Sequence, residues 1–295
     1  MVEAKKKLLI LGAGGLLGSE LMSNPCFSDW NVMGQARSPE GMGRNDFSIQ
    51  NEVFTLLNAA APDAILNLIG LTDVDRCEAF PNEAYVSNVK TLENVVGWIK
   101  TRDKPVYLVH ISTDQVYDGT GPHYEKEVIL RNYYAFSKYA AELVAGSVPS
   151  VILRTNFFGR SKSDKRRSLT DWLFHSLRDG REIQVFEDVL FSPLSMSTLA
   201  EMMAVALQKR ITGIYNLGSH DGMSKADFAF HFAHLLNMRA GLMSRTTTQK
   251  VDFLKTYRPK DMRLDVGAFE QAADVKLPSL IVELENVTRE YQNEI

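Results

Sequence analysis

The fold of this chain is decided by the stretch Lys7-Leu-Leu-Ile-Leu-Gly12-Ala-Gly-Gly15-Leu-Leu-Gly18-Ser-Glu-Leu-Met22. The apolar run that ends at the first glycine predicts a short buried β-strand. The glycines follow the spacing G-x-x-G-x-x-G, and an apolar helix start comes directly after them. Strand, glycine turn and helix in this order predict a dinucleotide-binding turn, because glycine lets the backbone approach a pyrophosphate and the helix N-terminus offers free N–H groups. The alternative is an ordinary glycine-rich turn.

Strands and helices alternate along the following chain. Apolar runs predict further strands at residues 31–35, 64–69, 106–111, 151–153 and 214–217. Helical periodicity predicts helices at residues 50–61, 81–99, 133–145, 169–177 and 197–207, and a further helix that starts at Ser224. Ser197 is the predicted N-cap of its helix. The alternation predicts an α/β fold with a doubly wound parallel sheet of the Rossmann type.

The chain has 295 residues, enough for one large domain or two modest ones. Residues 1–158 are predicted to form a dinucleotide-binding domain, with returning segments within 182–218. Residues 159–181 and 219–295 are predicted to form most of a smaller, interleaved C-terminal substrate domain, because the regular alternation is lost beyond Thr155.

Composition excludes several classes of protein. The net charge of −3 gives no reason to expect nucleic acid or an anionic membrane as a partner, and a homodimer stays open. Two cysteines, Cys26 and Cys77, indicate neither a disulfide framework nor a metal cluster, so a reducing cytoplasm is expected. The apolar run 8–11 is too short for a signal peptide or a membrane span. His231 and His234 are read as helix-face residues, so no metal site is predicted.

In a doubly wound sheet, ligands bind at the carboxyl ends of the strands. Several candidate residues follow predicted strands on that edge: Gly12, Gly14, Gly15, Leu16, Leu17, Gly18, Arg37, Leu68, Ile69, Gly70, Ser112, Thr113 and Asn156. We therefore expect the cofactor to contact this edge.

The segment after the second strand bears on the choice of cofactor. An NAD-binding unit usually has Asp or Glu there for the ribose 2′-hydroxyl, whereas this chain has Ala36-Arg37-Ser38. Arg37 is placed to meet the 2′-phosphate of NADP, or else is a solvated surface arginine. A carboxylate at Asp46, beside Phe47, is placed to accept from the adenine amino group. NADP(H) is therefore the preferred cofactor, and NAD(H) stays open.

The segment Tyr134-Ala-Phe-Ser-Lys138 places a phenol and an ammonium four residues apart on one helical face. A nearby positive charge favours phenolate, so we expect Lys138 to lower the pKa of Tyr134. A phenol tuned in this way can exchange a proton with a carbonyl or an alcohol. The alternative is an exposed helix with an interfacial tyrosine.

Taken together, these segments resemble an extended short-chain dehydrogenase/reductase, and specifically the dTDP-4-dehydrorhamnose reductase family. The resemblance rests on the glycine turn and on four further stretches: Asp46-Phe-Ser48, Pro62 to Asn67 with Val74-Asp75 and Glu78, His110-Ile-Ser-Thr-Asp-Gln-Val-Tyr117 with Gly119-Thr-Gly121, and Arg258-Pro259 with Arg263-Leu264. These stretches cover nearly the whole chain in the family's order.

The resemblance implies an NADPH-dependent reduction of the C4 keto group of a nucleotide-linked 6-deoxysugar, in deoxysugar and cell-surface polysaccharide biosynthesis. It implies that Thr113 hydrogen-bonds the substrate oxygen, that Tyr134 is the general acid, and that Lys138 binds the nicotinamide ribose. The loops 159–168 and 257–263 are basic, and a nucleoside diphosphate needs cationic partners. Arg258 and Arg263 are therefore predicted to bind substrate, the alternative being two solvated basic loops.

The chain departs from the family pattern on the substrate side. Asn67-Leu-Ile-Gly70 replaces N-A-A-A, Gln115 replaces a tyrosine, and Asp188-Val-Leu-Phe-Ser-Pro-Leu194 replaces D-Q-x-G-x-P-T. Two other functions therefore stay open. One is a nucleotide-sugar epimerase of the same superfamily, and the other is a regulatory NADP-binding partner like the beta subunit of methionine adenosyltransferase, which resembles this chain in its glycine turn.

Overall fold

A computed structural model describes residues 5–36, 46–163 and 166–292. Its strands are β1 Lys6–Leu11, β2 Trp30–Gln35, β3 Ala64–Asn67, β4 Tyr107–Thr113, β5 Ser150–Thr155, β6 Phe157–Phe158, β7 Ile183–Phe186, β8 Leu190–Phe191, β9 Leu194–Ser195, β10 Gly213–Leu217, β11 Met223–Ser224 and β12 Met243–Thr246. Its α-helices are α1 Leu16–Ser23, α2 Gln50–Ala60, α3 Val74–Ala79, α4 Pro81–Tyr85, α5 Thr91–Lys100, α6 Tyr133–Ala145, α7 Leu169–Arg178, α8 Met196–Lys209, α9 Lys225–Leu235, α10 Gly267–Ala273 and α11 Leu280–Thr288.

Six strands form one parallel sheet in the order β10-β5-β4-β3-β1-β2. Both faces of the sheet are covered, because residues of α1, α8 and α10 pack on one face and residues of α2, α5 and α6 on the other. All seven residues of β4 are buried, as expected for a strand covered on both sides. The predicted doubly wound parallel sheet is confirmed.

Some predicted boundaries of helices and strands are wrong, and local hydrogen bonds account for two of them. Strand β3 ends at Asn67 instead of residue 69, because the Asn67 side chain accepts a hydrogen bond from the Ile69 N–H at 3.3 Å. The predicted helix 81–99 is α4, a π-helical turn at Val86–Lys90 and α5, and α3 before it was not predicted. The N-cap of α8 is Ser195, whose hydroxyl accepts from the Thr198 N–H at 3.1 Å.

A second hydrophobic core begins where the chain leaves β5. Buried side chains of β6, α7, α9 and α11 meet there, among them Phe158, Phe174, Phe232 and Leu284, together with Tyr291, which follows α11. Residues of the segment 264–277 pack in the first core instead, together with α8 and the sheet. Among the described residues, no helix is long and apolar enough to cross a membrane. The carboxyl ends of the sheet strands face the part of the chain that follows β5.

A buried ion pair joins α6 to the sheet. Arg154 of β5 and Glu142 of α6 are each 1% exposed, and Arg154 Nη2 lies 2.6 Å from Glu142 Oε2. Arg154 Nε also donates to both carboxylate oxygens, at 3.0 and 3.1 Å, and the Ser112 hydroxyl donates to Oε1. Arg154 Nη1 donates to the Tyr117 hydroxyl at 2.7 Å. These hydrogen bonds compensate the cost of removing two charges from water.

Substituting Glu142 by glutamine should leave the Arg154 guanidinium as an uncompensated buried charge. We expect Glu142→Gln to lower the free energy of unfolding by about 3–5 kcal/mol in urea denaturation. The double variant Glu142→Met/Arg154→Met should recover most of that loss, because neither charge remains buried.

The exposed pair Arg76–Glu83 provides the control. Its side chains are 55% and 38% exposed, so Glu83→Gln should leave the free energy of unfolding nearly unchanged. Equal losses for Glu142→Gln and Glu83→Gln would show that the buried pair has no special role in the fold.

Candidate active site

The glycine turn lies between β1 and α1 at the carboxyl edge of the sheet. Gly12 has a φ of +91°, and its N–H donates to the Gln35 carbonyl at 2.9 Å. A Cβ on Gly18 would lie 2.7 Å from the Ala13 Cα, so this position has no room for a side chain. The N-cap of α1 is Gly15, and the first helical bond runs from the Ser19 N–H to the Gly15 carbonyl at 3.0 Å. The N–H groups of Leu16, Leu17 and Gly18, in the first turn of α1, are thus those that a helix leaves free for an anion.

The loop after β3 lies against this turn. The Leu68 N–H donates to the Leu11 carbonyl at 2.9 Å, and a Cβ on Gly12 would lie 3.1 Å from the Leu68 carbonyl carbon. The side chain of Asn88, in the π-helical turn, accepts from the Leu71 N–H at 2.6 Å and donates to the Ser137 hydroxyl at 2.8 Å. The loop that contains Leu68, Ile69 and Gly70 is therefore tied to both the glycine turn and α6.

Thr113, Tyr134 and Lys138 come together where β4 meets the start of α6. Thr113 is the last residue of β4, and its side chain hydrogen-bonds that of Tyr134. Helix α6 begins at Tyr133 because the side chain of Asn132 caps it, accepting from the Ala135 N–H at 2.8 Å. Tyr134 and Lys138 are each 6% exposed, and Lys138 Nζ donates to the Ile111 carbonyl at 2.6 Å. The alternative of an exposed interfacial tyrosine is therefore wrong.

The expected lowering of the Tyr134 pKa is also wrong. Burial raises the pKa of Tyr134, and the hydrogen bond from Thr113 opposes this only in part. Burial lowers the pKa of Lys138 to about 8, while the negative charge of Glu142, one turn further along α6, acts in the opposite direction. Tyr134 is thus held as a protonated phenol, which is the form that can donate a proton.

His110 and Asp114 are two further titratable groups around these residues. Burial, with the nearby Lys138 charge, holds the pKa of His110 well below its usual value, so its ring stays neutral. Asn67 Nδ2 lies 3.1 Å from His110 Nδ1. Burial raises the pKa of Asp114 to about 6, although Asn156 Nδ2 donates to its carboxylate at 2.7 Å.

The two arginines predicted to bind substrate differ in their surroundings. The Arg263 guanidinium binds both oxygens of Asp261, at 2.9 and 2.6 Å, and donates to the Gly121 carbonyl at 3.1 Å. Arg258 Nη2 donates to Asp75 at 2.9 Å, and Asn132 Nδ2 donates to the carbonyl of the neighbouring Tyr257 at 3.2 Å. The chain around Arg258 therefore reaches the start of α6, whereas Arg263 is held by Asp261 of its own loop and by the Gly121 carbonyl.

The predicted adenine-side residues lie before α2. The Asp46 carboxylate accepts from the Ser48 N–H and hydroxyl at 2.9 and 2.7 Å. Phe47 is buried, and its carbonyl accepts from Asn94 Nδ2 at 2.8 Å. The Arg37 prediction lies outside the described residues.

Several residues around the site were not anticipated. The sequence contained a signal for the pair Glu142 and Arg154, because an arginine within the apolar run Val151-Ile-Leu-Arg154 must find a buried partner. Lys225, at the start of α9, had none, and its charge acts on Asp114 across the site. Within the described residues, no group of three or more His, Cys, Asp or Glu side chains is placed to hold a metal ion.

Comparison with known proteins agrees with this arrangement. Residues 6–293 match the model of the family described as RmlD substrate binding domain. The chain belongs to this family. Within it, the chain is 26% identical over 289 residues to dTDP-4-dehydrorhamnose reductase of Salmonella typhimurium, covering 92% of this chain and 93% of that one.

Two further proteins are similar over nearly their full lengths. The probable low-salt glycan biosynthesis reductase Agl14 of Haloferax volcanii is 25% identical over 283 residues, covering 92% of this chain and 93% of that one. The crystal structure of dTDP-4-dehydrorhamnose reductase from Bacillus anthracis, in complex with NADP, superposes with a TM-score of 0.86 at 23% identity. It covers 97% of this chain and 100% of that one, which shows that the fold is shared.

The crowding at Gly18 leads to a stability prediction. Gly18→Ala should lower the free energy of unfolding by about 1–3 kcal/mol, because the new methyl group must displace backbone atoms of the glycine turn. Gly241→Ala is the matched control, since a Cβ there has no atom within 4 Å. Urea denaturation of both variants would measure the difference, and an unchanged Gly18→Ala protein would contradict the close packing of this turn.

Proposed function

We propose that this protein is an NADPH-dependent reductase of a nucleotide-linked 4-keto-6-deoxysugar, similar in reaction to dTDP-4-dehydrorhamnose reductase. The observation that carries the proposal is the buried group of Thr113, Tyr134 and Lys138 at the carboxyl edge of the sheet. A hydroxyl, a protonated phenol and an ammonium are the groups that a carbonyl reduction needs around the developing alkoxide.

We assign a role to each of the three residues from its position. The nicotinamide cofactor would supply the hydride to the carbonyl carbon. Tyr134 donates its phenolic proton to the carbonyl oxygen, because burial keeps the phenol protonated. Thr113, already hydrogen-bonded to Tyr134, orients that oxygen. The ammonium of Lys138 stabilises the phenolate that remains, and Glu142 favours the charged form of Lys138.

The glycine turn supports a dinucleotide cofactor, and Arg37 supports NADP over NAD. Gly12 and Gly18 keep side chains away from the start of α1, where a pyrophosphate would accept hydrogen bonds from free N–H groups. The sequence after β2 offers an arginine and no carboxylate at residues 36–38, which suits a 2′-phosphate. The related enzyme from Bacillus anthracis is described in complex with NADP, which adds support.

The relatives support a sugar nucleotide as substrate and a role in polysaccharide or glycan biosynthesis. The departures at Gln115 and around Asp188 lie on the substrate side. Asp188 is held by Lys260 Nζ at 2.6 Å and by the Thr248 N–H at 3.0 Å. We place the reaction in the cytoplasm, which suits the two free thiols Cys26 and Cys77.

Removing the phenolic hydroxyl tests the reaction directly. Tyr134→Phe should retain the fold and NADPH binding but lose about 10²–10⁴-fold in kcat, because a general acid is removed. NADPH absorbance would be followed with a dTDP-4-keto-6-deoxysugar. Tyr133→Phe is the matched control, since Tyr133 is 47% exposed and its substitution should leave the rate unchanged.

The same assay separates the alternatives. An epimerase would convert the sugar without net oxidation of NADPH. A regulatory partner would bind NADPH without turnover, and Tyr134→Phe would not alter its association with another protein. Equal rates for Tyr134→Phe and wild type would show that Tyr134 takes no part in the reaction.

A further inference from the structure

Asp114 is a buried carboxyl group to which the proposed reaction gives no role. It follows Thr113 directly in the chain and is 1% exposed. Its Oδ2 accepts from Asn156 Nδ2 at 2.7 Å, and its Oδ1 lies 3.3 Å from the hydroxyl oxygen of Thr113. One carboxyl oxygen is therefore held by the residue that follows β5, while the other faces the hydroxyl that orients the substrate carbonyl.

The hydroxyl of Thr113 has one proton to donate and two lone pairs that accept. One lone pair accepts from the Gln115 N–H at 3.2 Å, and that group can only donate. The other two directions of the hydroxyl face the side chains of Asp114 and Tyr134. The single hydroxyl proton must therefore point either to Asp114 or to the side of Tyr134.

The two protonation states of Asp114 set opposite directions for this proton. An ionised carboxylate can only accept, so it takes the Thr113 proton, and the second lone pair of Thr113 then accepts from the Tyr134 phenol. A neutral carboxyl can instead donate from Oδ1 to the Thr113 oxygen. Both lone pairs of Thr113 are then filled, and its proton points toward Tyr134. In the proposed reaction, only this second arrangement makes Thr113 a donor to the developing alkoxide.

The surroundings of Asp114 make both states accessible. Burial raises the pKa of Asp114 to about 6, while the hydrogen bond from Asn156 and the positive charge of Lys225 in α9 act in the opposite direction. The negative charge of Asp114 acts in turn on Tyr134 of α6. Within the described part of the chain, Lys225 and Tyr134 are the titratable side chains of other helices and strands that interact with Asp114.

We propose that Asp114 is a positioning residue whose protonated form turns the Thr113 hydroxyl toward the substrate carbonyl oxygen. This role rests on the proposed function and extends it, since Tyr134 remains the proton donor. Asp114 keeps its proton throughout: its carboxyl donates a hydrogen bond to Thr113, and Thr113 donates another to the oxygen that Tyr134 protonates. The rate of reduction should therefore fall as rising pH ionises Asp114.

Two other roles of Asp114 predict different results. If Asp114 only stabilises the turn after β4, its substitution would lower the melting temperature and leave the pH dependence of the rate unchanged. If the ionised form positions Thr113, the rate would rise with pH over the same range. The sign of the pH dependence and its loss on substitution therefore separate the three roles.

Asp114→Asn is the decisive variant, because an amide copies the hydrogen bonds of the neutral carboxyl. Its oxygen can accept from Asn156, and its N–H can donate to Thr113 at every pH. The kcat of wild type should fall roughly tenfold between about pH 5.5 and 7.5, the effect of losing one hydrogen bond in the transition state. Asp114→Asn should keep the higher rate over this range, and Asp114→Ala should be slow throughout.

Rates are followed by NADPH absorbance with a dTDP-4-keto-6-deoxysugar, and each is corrected with an enzyme-free blank because NADPH decomposes in acid. Asp179→Asn is the matched control, since the Asp179 side chain is 48% exposed, and it should follow the wild-type profile. If Asp114→Asn fails to fold in a thermal melt, Asn156→Ala is measured instead. Loss of the Asn156 hydrogen bond should raise the pKa of Asp114 and move the fall in rate to higher pH.

Three results would overturn the proposal. They are a wild-type rate that rises with pH over this range, an Asp114→Asn protein that lacks the wild-type rate at low pH, and an Asn156→Ala profile that does not move.

A measurement without turnover separates this proposal from the proposed reaction. Threonine methyl groups are labelled with carbon-13, and the signal missing from Thr113→Ser is that of Thr113. Its chemical shift should change with a midpoint of about pH 6 in wild type and stay constant in Asp114→Asn. A Thr113 signal that does not titrate would overturn the proposal. A titrating signal in a wild type that reduces no keto sugar would support the link between the two residues and count against the proposed reaction alone.

Discussion

The buried ion pair between Glu142 and Arg154 holds α6 against the sheet. Glu142 accepts from Ser112 at the end of β4 and from Arg154 of β5, and Arg154 continues to Tyr117. Tyr117 donates to the Asn216 side chain of β10 at 2.7 Å. One network therefore fixes α6 against three neighbouring strands, and Tyr134 and Lys138 lie two turns and one turn before Glu142 on the same helical face.

Burial also shifts the pKa values of Tyr134 and Lys138. It keeps the Tyr134 phenol protonated and brings the pKa of Lys138 to about 8, while Glu142 favours the ammonium. The structure thus combines the protonated phenol of Tyr134 with the ammonium of Lys138. The charge of that ammonium is favoured by Glu142, the residue that also anchors the helix. The Glu142 carboxylate both anchors α6 and favours the charged form of Lys138. Both effects need a carboxylate that is buried and fully hydrogen-bonded.

The sequence predicted those features of the fold and the site that local patterns of residues determine. The glycine turn, the sheet and the meeting of Thr113 with Tyr134 followed from periodicity, spacing and family resemblance, and the structure agrees. Features that depend on distant residues were not predictable. The raised pKa of Tyr134 arises from burial in its tertiary surroundings.

Transfer of a labelled hydride tests the reductase most directly. The protein would be incubated with a dTDP-4-keto-6-deoxysugar and NADPH in which both hydrogens at nicotinamide C4 are deuterium, and the sugar would be analysed by mass spectrometry and NMR. The account predicts one deuterium at sugar C4 for each NADP⁺ formed. A sugar that is epimerised or returned without deuterium, with NADPH left unoxidised, would contradict it.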